Sequence, residues 1–165
     1  MRPLTVLASP WSALHRNRER IQAATFGTFD GATSSYGVTF AMFAQHQAPA
    51  AFVAPIVGLA IASAAGMGGG EAASGEGSDL GRRAVVMAVA SLFGVIVVAL
   101  PFFYLRGMAA LLTSLALALA LGVAIAQRRS TDLGRLKAYA VTFGVLAVAI
   151  GVTSAISVML PGSGG

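Results

Sequence analysis

The chain of 165 residues is most informative for what it has little of: it contains no cysteine, two histidines and one tryptophan. Without cysteine there is no disulfide framework, no thiolate metal site and no cysteine nucleophile. No nucleophile, base and orienting group occur together in a recognisable motif, so we predict that the protein is not an enzyme. Charged residues are also scarce, at 10% of the chain, compared with about 25% in soluble domains.

Hydrophobic residues, in contrast, make up 56% of the chain, above the roughly 45–50% typical of soluble proteins. The composition therefore predicts an integral membrane protein with the lipid bilayer as its partner. A formal net charge of +5 would suit nucleic acid if the basic residues formed one face of a soluble fold. They lie instead between long apolar stretches, so we expect no nucleic-acid partner.

Five stretches without Lys or Arg are long enough for a membrane-spanning helix, which needs about 20 mostly apolar residues. They cover approximately residues 21–44, 50–74, 84–105, 107–127 and 138–160. Residues 31–70 carry no charge at all, and this length requires a hairpin of two spans with Pro49 near the first turn of the second helix. The predicted fold is all-α, a polytopic membrane protein with five transmembrane helices.

The placement of the basic residues predicts the orientation of these spans. Arg106 lies between the third and fourth spans, whereas the other ten basic residues belong to the opposite side. The N-terminus is therefore expected in the cytosol and the C-terminus outside, with residues 161–165 as a short external tail. Residues 1–20 form a cytosolic basic arm, for which an interfacial helix and a solvated segment both stay open. The compact size and the Ala-, Gly-, Val- and Arg-rich composition favour a prokaryotic plasma membrane.

Two acidic residues, Asp30 and Glu71, fall inside predicted spans, where a carboxylate costs about 2.5–3.5 kcal/mol at the centre and commonly serves ions or protons. Asp30 lies nine residues after Ile21, about 14 Å along a helix and near the middle of a ~30 Å core. Glu71 is expected at the cytosolic mouth, with Met67 one turn deeper at a depth similar to that of Asp30. Carboxylate and thioether ligands together favour a transition metal, although packing for Met67 and interfacial exposure for Glu71 remain alternatives.

Small and hydroxylated residues surround these candidates. Ala62, Gly66 and Gly70 form a stripe with four-residue spacing, which is typical of close helix contacts, so Gly66 and Gly70 are candidate dimer-packing residues. Ser34 and Ser35 follow Asp30 and are candidates either to line a hydrated pathway or to donate hydrogen bonds to backbone carbonyls.

A family resemblance is carried by Asp30-Gly31 with Ser34-Ser35, followed by Met67, Glu71 and Ser74. This pattern resembles the vacuolar iron transporter family of iron and manganese transporters. The resemblance implies a homodimer in which Asp30 and Met67 bind metal within the membrane and Glu71 lies at the cytosolic entrance, and it adds Ser74 to the pathway-lining candidates. Only residues 75–83 connect the second and third spans, so the chain is similar to a compact form without the cytosolic metal-binding domain.

The resulting hypothesis is export of Fe²⁺ and/or Mn²⁺ from the cytosol by proton antiport, with Zn²⁺ and Co²⁺ as further candidate ions and no permanently bound cofactor. Proton coupling is expected because metal and protons compete for the same carboxylate. The alternative is a non-transporting membrane interaction or assembly protein in which the Gly-rich second span is a packing helix. The two hypotheses differ in whether Asp30→Asn abolishes transport or has no effect.

Overall fold

The computed structural model describes residues 10–75 and 79–159, and within these ranges the chain forms helices and turns without any strand. The all-helical class predicted from the sequence is therefore confirmed. Residues 1–9 of the basic arm, Glu76 in the connection between the second and third spans, and the tail 161–165 lie outside the described residues.

Six α-helices follow one another along the chain: α1 (Pro10–Ala44), α2 (Val53–Ser74), α3 (Leu80–Ala99), α4 (Pro101–Tyr104), α5 (Gly107–Leu133) and α6 (Arg135–Met159). A 3₁₀ turn, Pro49–Phe52, precedes α2. Pro101 separates α3 from α4 because proline lacks the N–H that would continue the helical hydrogen bonds. Gly134, with φ of 78°, separates α5 from α6 in a backbone conformation that glycine adopts without strain.

The end of α1 is a Schellman motif with histidine at the position where glycine is usual. The His46 N–H donates to the Phe43 carbonyl at 3.0 Å, and the Gln47 N–H donates to the Met42 carbonyl at 3.1 Å. His46 has φ of 56° and is exposed. Backbone hydrogen bonds thus form the turn that ends α1.

Among the described residues, four helical segments are long and apolar enough to cross a bilayer: Pro49–Ser74, Leu80–Tyr104, Gly107–Arg128 and Arg135–Thr153. These four segments fit an integral membrane protein. The helix α1 is less apolar because Asp30 and a cluster of hydroxyl residues interrupt its hydrophobic sequence. It packs against α2, α3, α5 and α6, so the most polar of the long helices lies among the apolar ones.

The contact between α1 and α3 is a backbone contact made possible by glycine. A Cβ atom added at Gly31 would lie 2.9 Å from the carbonyl carbon of Ser91, and one added at Gly94 would lie 2.8 Å from the Ala32 nitrogen. Both separations are shorter than the roughly 3.5–4.0 Å at which non-bonded carbon atoms attract best. Glycine at these positions therefore sets how closely the two helices approach, as it does at small-residue contacts in membrane proteins.

Candidate functional site

Asp30 lies on α1 beside this close contact, and its carboxylate is bound by a chain of two serine hydroxyls. Ser63 on α2 donates a hydrogen bond from Oγ to Asp30 Oδ2 at 2.9 Å. The Ser63 Oγ lies 2.5 Å from the Ser91 Oγ on α3, and Ser91 is fully buried. Because the Ser63 proton is directed at Asp30, the Ser91 hydroxyl donates to Ser63. Ser63 on α2 thus links the Asp30 carboxylate of α1 to the Ser91 hydroxyl of α3.

The charge environment of Asp30 is unusual for a carboxylate enclosed by apolar helices. Within the described ranges no Lys or Arg forms an ion pair with Asp30, and its hydrogen-bond donor is the neutral Ser63 hydroxyl. A charged group without a counter-ion is costly to remove from water, and membrane proteins usually pair such groups. Among the described residues, Asp30 therefore has a hydroxyl partner and no basic counter-ion.

Ser63, Met67 and Glu71 follow one another at intervals of four residues along α2, and all three are partly buried. An α-helix rises about 6 Å over four residues, so the three side chains form a row along one face. The contact of Asp30 is with Ser63, one turn before Met67. The α2 side chain that hydrogen-bonds to Asp30 is therefore Ser63, one turn from Met67, which the sequence predicted at a depth similar to that of Asp30.

Glu71 is part of a group of ion pairs at the end of α2. The guanidinium Nη2 of Arg83, in the first turn of α3, contacts Glu71 Oε1, and its Nη1 donates to Glu19 Oε2 at 3.3 Å. The Glu71 side chain is only 13% exposed. The carboxylate expected at the cytosolic entrance thus has an internal cation as its partner, which sequence reasoning did not foresee.

A second ion pair stands beside the first. Arg20 of α1 donates from Nε and Nη2 to the two oxygens of Asp79 at 2.7 and 2.8 Å. This bidentate geometry gives directional recognition of a carboxylate, and the hydrogen bond to Asp79 raises the pKa of Arg20 above its usual value. Together the three ion pairs connect α1 with the end of α2 and the start of α3.

The three serines predicted to line a pathway have different surroundings. Ser34 lines a groove of about 540 Å³ between α1 and α6, together with Thr33 and Thr153. Ser35 is fully buried and donates to the Val95 carbonyl of α3 at 3.0 Å. Ser74 is exposed and donates to the Gly70 carbonyl of its own helix at 2.6 Å. Ser35 and Ser74 therefore bond to backbone carbonyls, while Ser34 borders open space.

The glycines of α2 divide into two faces. Gly66 and Gly70 are exposed, and a Cβ atom at either position would have nothing within 4 Å. Gly68, between them, is the glycine that contacts α3: its Cβ would lie 3.0 Å from Ala88 Cβ and 3.1 Å from the Ala84 oxygen. No described residue of the chain thus covers the face that contains Gly66 and Gly70.

No cluster of three or more His, Asp or Glu side chains suited to a metal occurs in the part of the chain that the structure describes. The predicted ligand set includes the thioether of Met67, and the structure shows two further polar groups near Asp30, the Ser63 and Ser91 hydroxyls, that sequence reasoning missed. Ser91 had a detectable signal, because it is the one serine or threonine in the apolar stretch 84–105. Ser63 had no such signal within its run of small residues.

Comparison with protein families, with curated proteins and with solved structures finds no significant match to the chain. The resemblance to the vacuolar iron transporter family therefore rests on the residues in which it was noted.

Proposed function

We propose that the protein exports divalent transition metal, Fe²⁺ and/or Mn²⁺, from the cytosol in exchange for protons. The observation that supports this most strongly is Asp30, a carboxylate among apolar helices whose hydrogen-bond donor is the neutral Ser63 and not a basic side chain. Such a group needs a cation, and intramembrane carboxylates commonly serve ion and proton pathways. Oxygen ligands suit Mn²⁺, and a nearby thioether favours transition metals over Mg²⁺ and Ca²⁺.

In this proposal the metal moves along the row of α2 side chains formed by Glu71, Met67 and Ser63. It exchanges with Arg83 at Glu71, passes Met67 and reaches Asp30, with steps of about 6 Å between successive positions on the helix. Asp30 then holds either the metal or a proton, and this competition couples the two movements. The predicted topology belongs to the same proposal: five spans counting α1, a cytosolic N-terminus, and a homodimer in a prokaryotic plasma membrane.

Flux into proteoliposomes loaded with a Mn²⁺- and Fe²⁺-responsive dye, measured across a pH gradient, tests this function. Asp30→Asn keeps the size of the side chain and its ability to accept from Ser63, but it removes the charge that binds the cation, so flux is expected to be lost. Met67→Leu is expected to reduce flux, whereas Met159→Leu, at a methionine that is 78% exposed, serves as the matched control. Wild-type flux in Asp30→Asn would refute the function.

The alternative, a membrane assembly protein, is favoured by a separate observation: Gly66 and Gly70 lie on an uncovered face of α2. Close packing against a second copy through these glycines would need no transported ion. This hypothesis predicts that Gly70→Leu disrupts an oligomer while Asp30→Asn has no effect on the protein's activity in the cell.

A further inference from the structure

We infer that Ser63 and Ser91 are ligands of the cation at Asp30, and that these hydroxyls give the site its selectivity for metals that prefer oxygen. This inference rests on the proposed function, and it extends it by naming residues of α2 and α3 as specificity-determining. The resulting site has one carboxylate and two hydroxyls, one oxygen from each of three helices.

The distances suit a cation in place of the hydrogen bonds. In octahedral coordination with metal–oxygen distances of about 2.1 Å, neighbouring oxygen atoms lie about 3.0 Å apart. Asp30 Oδ2 and Ser63 Oγ are 2.9 Å apart, and Ser63 Oγ and Ser91 Oγ are 2.5 Å apart. A cation bound by Ser63 Oγ together with either neighbouring oxygen would therefore require displacements of about half an ångström or less, with the hydroxyl protons kept and rotated away from the bound ion.

Ser91 is held in this position by the backbone. Its carbonyl carbon is among the atoms that a Cβ at Gly31 would approach most closely, at 2.9 Å, and Gly31 is the residue after Asp30. The residue is fully buried. The α1–α3 contact thus fixes Ser91 relative to Asp30, and a ligand held on rigid helices needs little reordering when metal binds.

Both hydroxyls contribute hard oxygen atoms, whereas Cd²⁺ and Zn²⁺ gain more from sulfur ligands. A site with Asp30, Ser63 and Ser91 is therefore expected to rank Mn²⁺ above Cd²⁺ relative to a site that contains a thiol. Met67 lies one turn further along α2. Its thioether therefore contacts the ion either before the ion reaches the three oxygens or after it has left them.

The test measures Mn²⁺ and Cd²⁺ binding to the purified full chain in detergent, together with flux into proteoliposomes. Ser63→Ala is expected to weaken Mn²⁺ binding by about tenfold or more, since it deletes one ligand. Ser63→Cys restores a ligand but exchanges oxygen for sulfur, so it is expected to shift the Cd²⁺-to-Mn²⁺ affinity ratio by at least about tenfold towards Cd²⁺. A variant that only loosened the packing would not shift the Cd²⁺-to-Mn²⁺ affinity ratio in this way.

Two variants of Ser114 serve as matched controls. Ser114→Ala removes a buried hydroxyl that donates to the Val98 carbonyl at 2.7 Å, and it controls for Ser91→Ala. Ser114→Cys places a thiol at the same buried position on α5, away from Asp30, and it controls for Ser63→Cys. Neither control is expected to alter the Cd²⁺-to-Mn²⁺ ratio.

The outcomes separate this inference from the function on which it rests. If Asp30→Asn abolishes Mn²⁺ binding and flux, but Ser63→Ala, Ser63→Cys and Ser91→Ala all keep the wild-type affinities and ratio, the ligand role of the hydroxyls is overturned and the exporter stands. If Asp30→Asn leaves binding and flux unchanged, or the wild type binds and transports neither metal, the exporter fails and the inference fails with it.

Discussion

Replacing Gly31 by alanine tests whether the backbone contact between α1 and α3 holds the fold together. The new Cβ would lie 2.9 Å from the Ser91 carbonyl carbon and 3.0 Å from the Val95 nitrogen. The atom nearest to the new Cβ is the Ser91 carbonyl oxygen, and the carbonyl carbon alone, at 2.9 Å against a favourable separation of about 3.5 Å, requires the two helices to move apart by at least about 0.6 Å. Every contact along this interface then weakens.

Overpacking of this kind typically costs about 1–3 kcal/mol, and the better helix propensity of alanine offsets up to about 1 kcal/mol of it. Because the clashing atoms belong to the backbone and cannot rotate away, the upper part of the range, about 2–3 kcal/mol, applies, and we expect a net loss of about 1–2 kcal/mol. At about 2–4 °C for each kcal/mol in a chain of this size, the midpoint of thermal unfolding in detergent is expected to fall by about 2–8 °C.

The matched control is Gly144→Ala on α6, where a Cβ would have nothing within 4 Å. This change is expected to stabilise the protein or leave it unchanged, because the helix gains propensity without a clash. Gly31→Ala is also expected to reduce Mn²⁺ flux, since it displaces Ser91 from Ser63. A thermal midpoint for Gly31→Ala equal to or above that of Gly144→Ala would refute the reasoning.

Three further predictions follow from the contacts described above. Arg83→Gln removes the ion-pair partner of Glu71 and is expected to lower the Mn²⁺ concentration for half-maximal flux about fivefold or more. Arg82→Gln, at an exposed neighbour, is expected to leave that concentration unchanged. Equal effects of the two variants would contradict the exchange of metal with Arg83 at Glu71. Replacing His46 by glycine relieves a left-handed backbone conformation and is expected to raise the free energy of unfolding by about 1 kcal/mol in denaturant titrations. Gly66→Leu is expected to leave the thermal midpoint of the protomer unchanged but to reduce the oligomer mass measured by light scattering, and an unaltered mass would remove Gly66 from the interface.

The all-helical class was predictable because long apolar stretches in a chain with few charges have few other stable arrangements. Asp30 could also be singled out, since a carboxylate in such a stretch is rare enough to be noticed from the sequence alone. The residue of α2 that lies beside Asp30 could not be predicted. Counting residues places a side chain along its own helix, but the vertical offset between two helices depends on how their surfaces pack.

For the same reason, the sequence alone could not identify all the hydrogen-bond and ion-pair contacts of the acidic residues. Ser91 is 61 positions after Asp30 along the chain, and only the close approach of α1 to α3 brings them into one network. Glu71 and Arg83 lie on opposite sides of a short connection, so their proximity was foreseeable, but not the geometry of the contact. A stripe of glycines likewise does not say which of its faces is covered: Gly68 contacts α3, and Gly66 and Gly70 do not.

The length of α1 has a mechanical consequence. A continuous helix of 35 residues is about 52 Å long, which exceeds a ~30 Å hydrocarbon core by about 20 Å. Arg20, which is bound to Asp79, and Asp30 lie on this one helix with no break between them. In the proposed exporter, a displacement of α1 at Arg20 would therefore also move the Asp30 carboxylate.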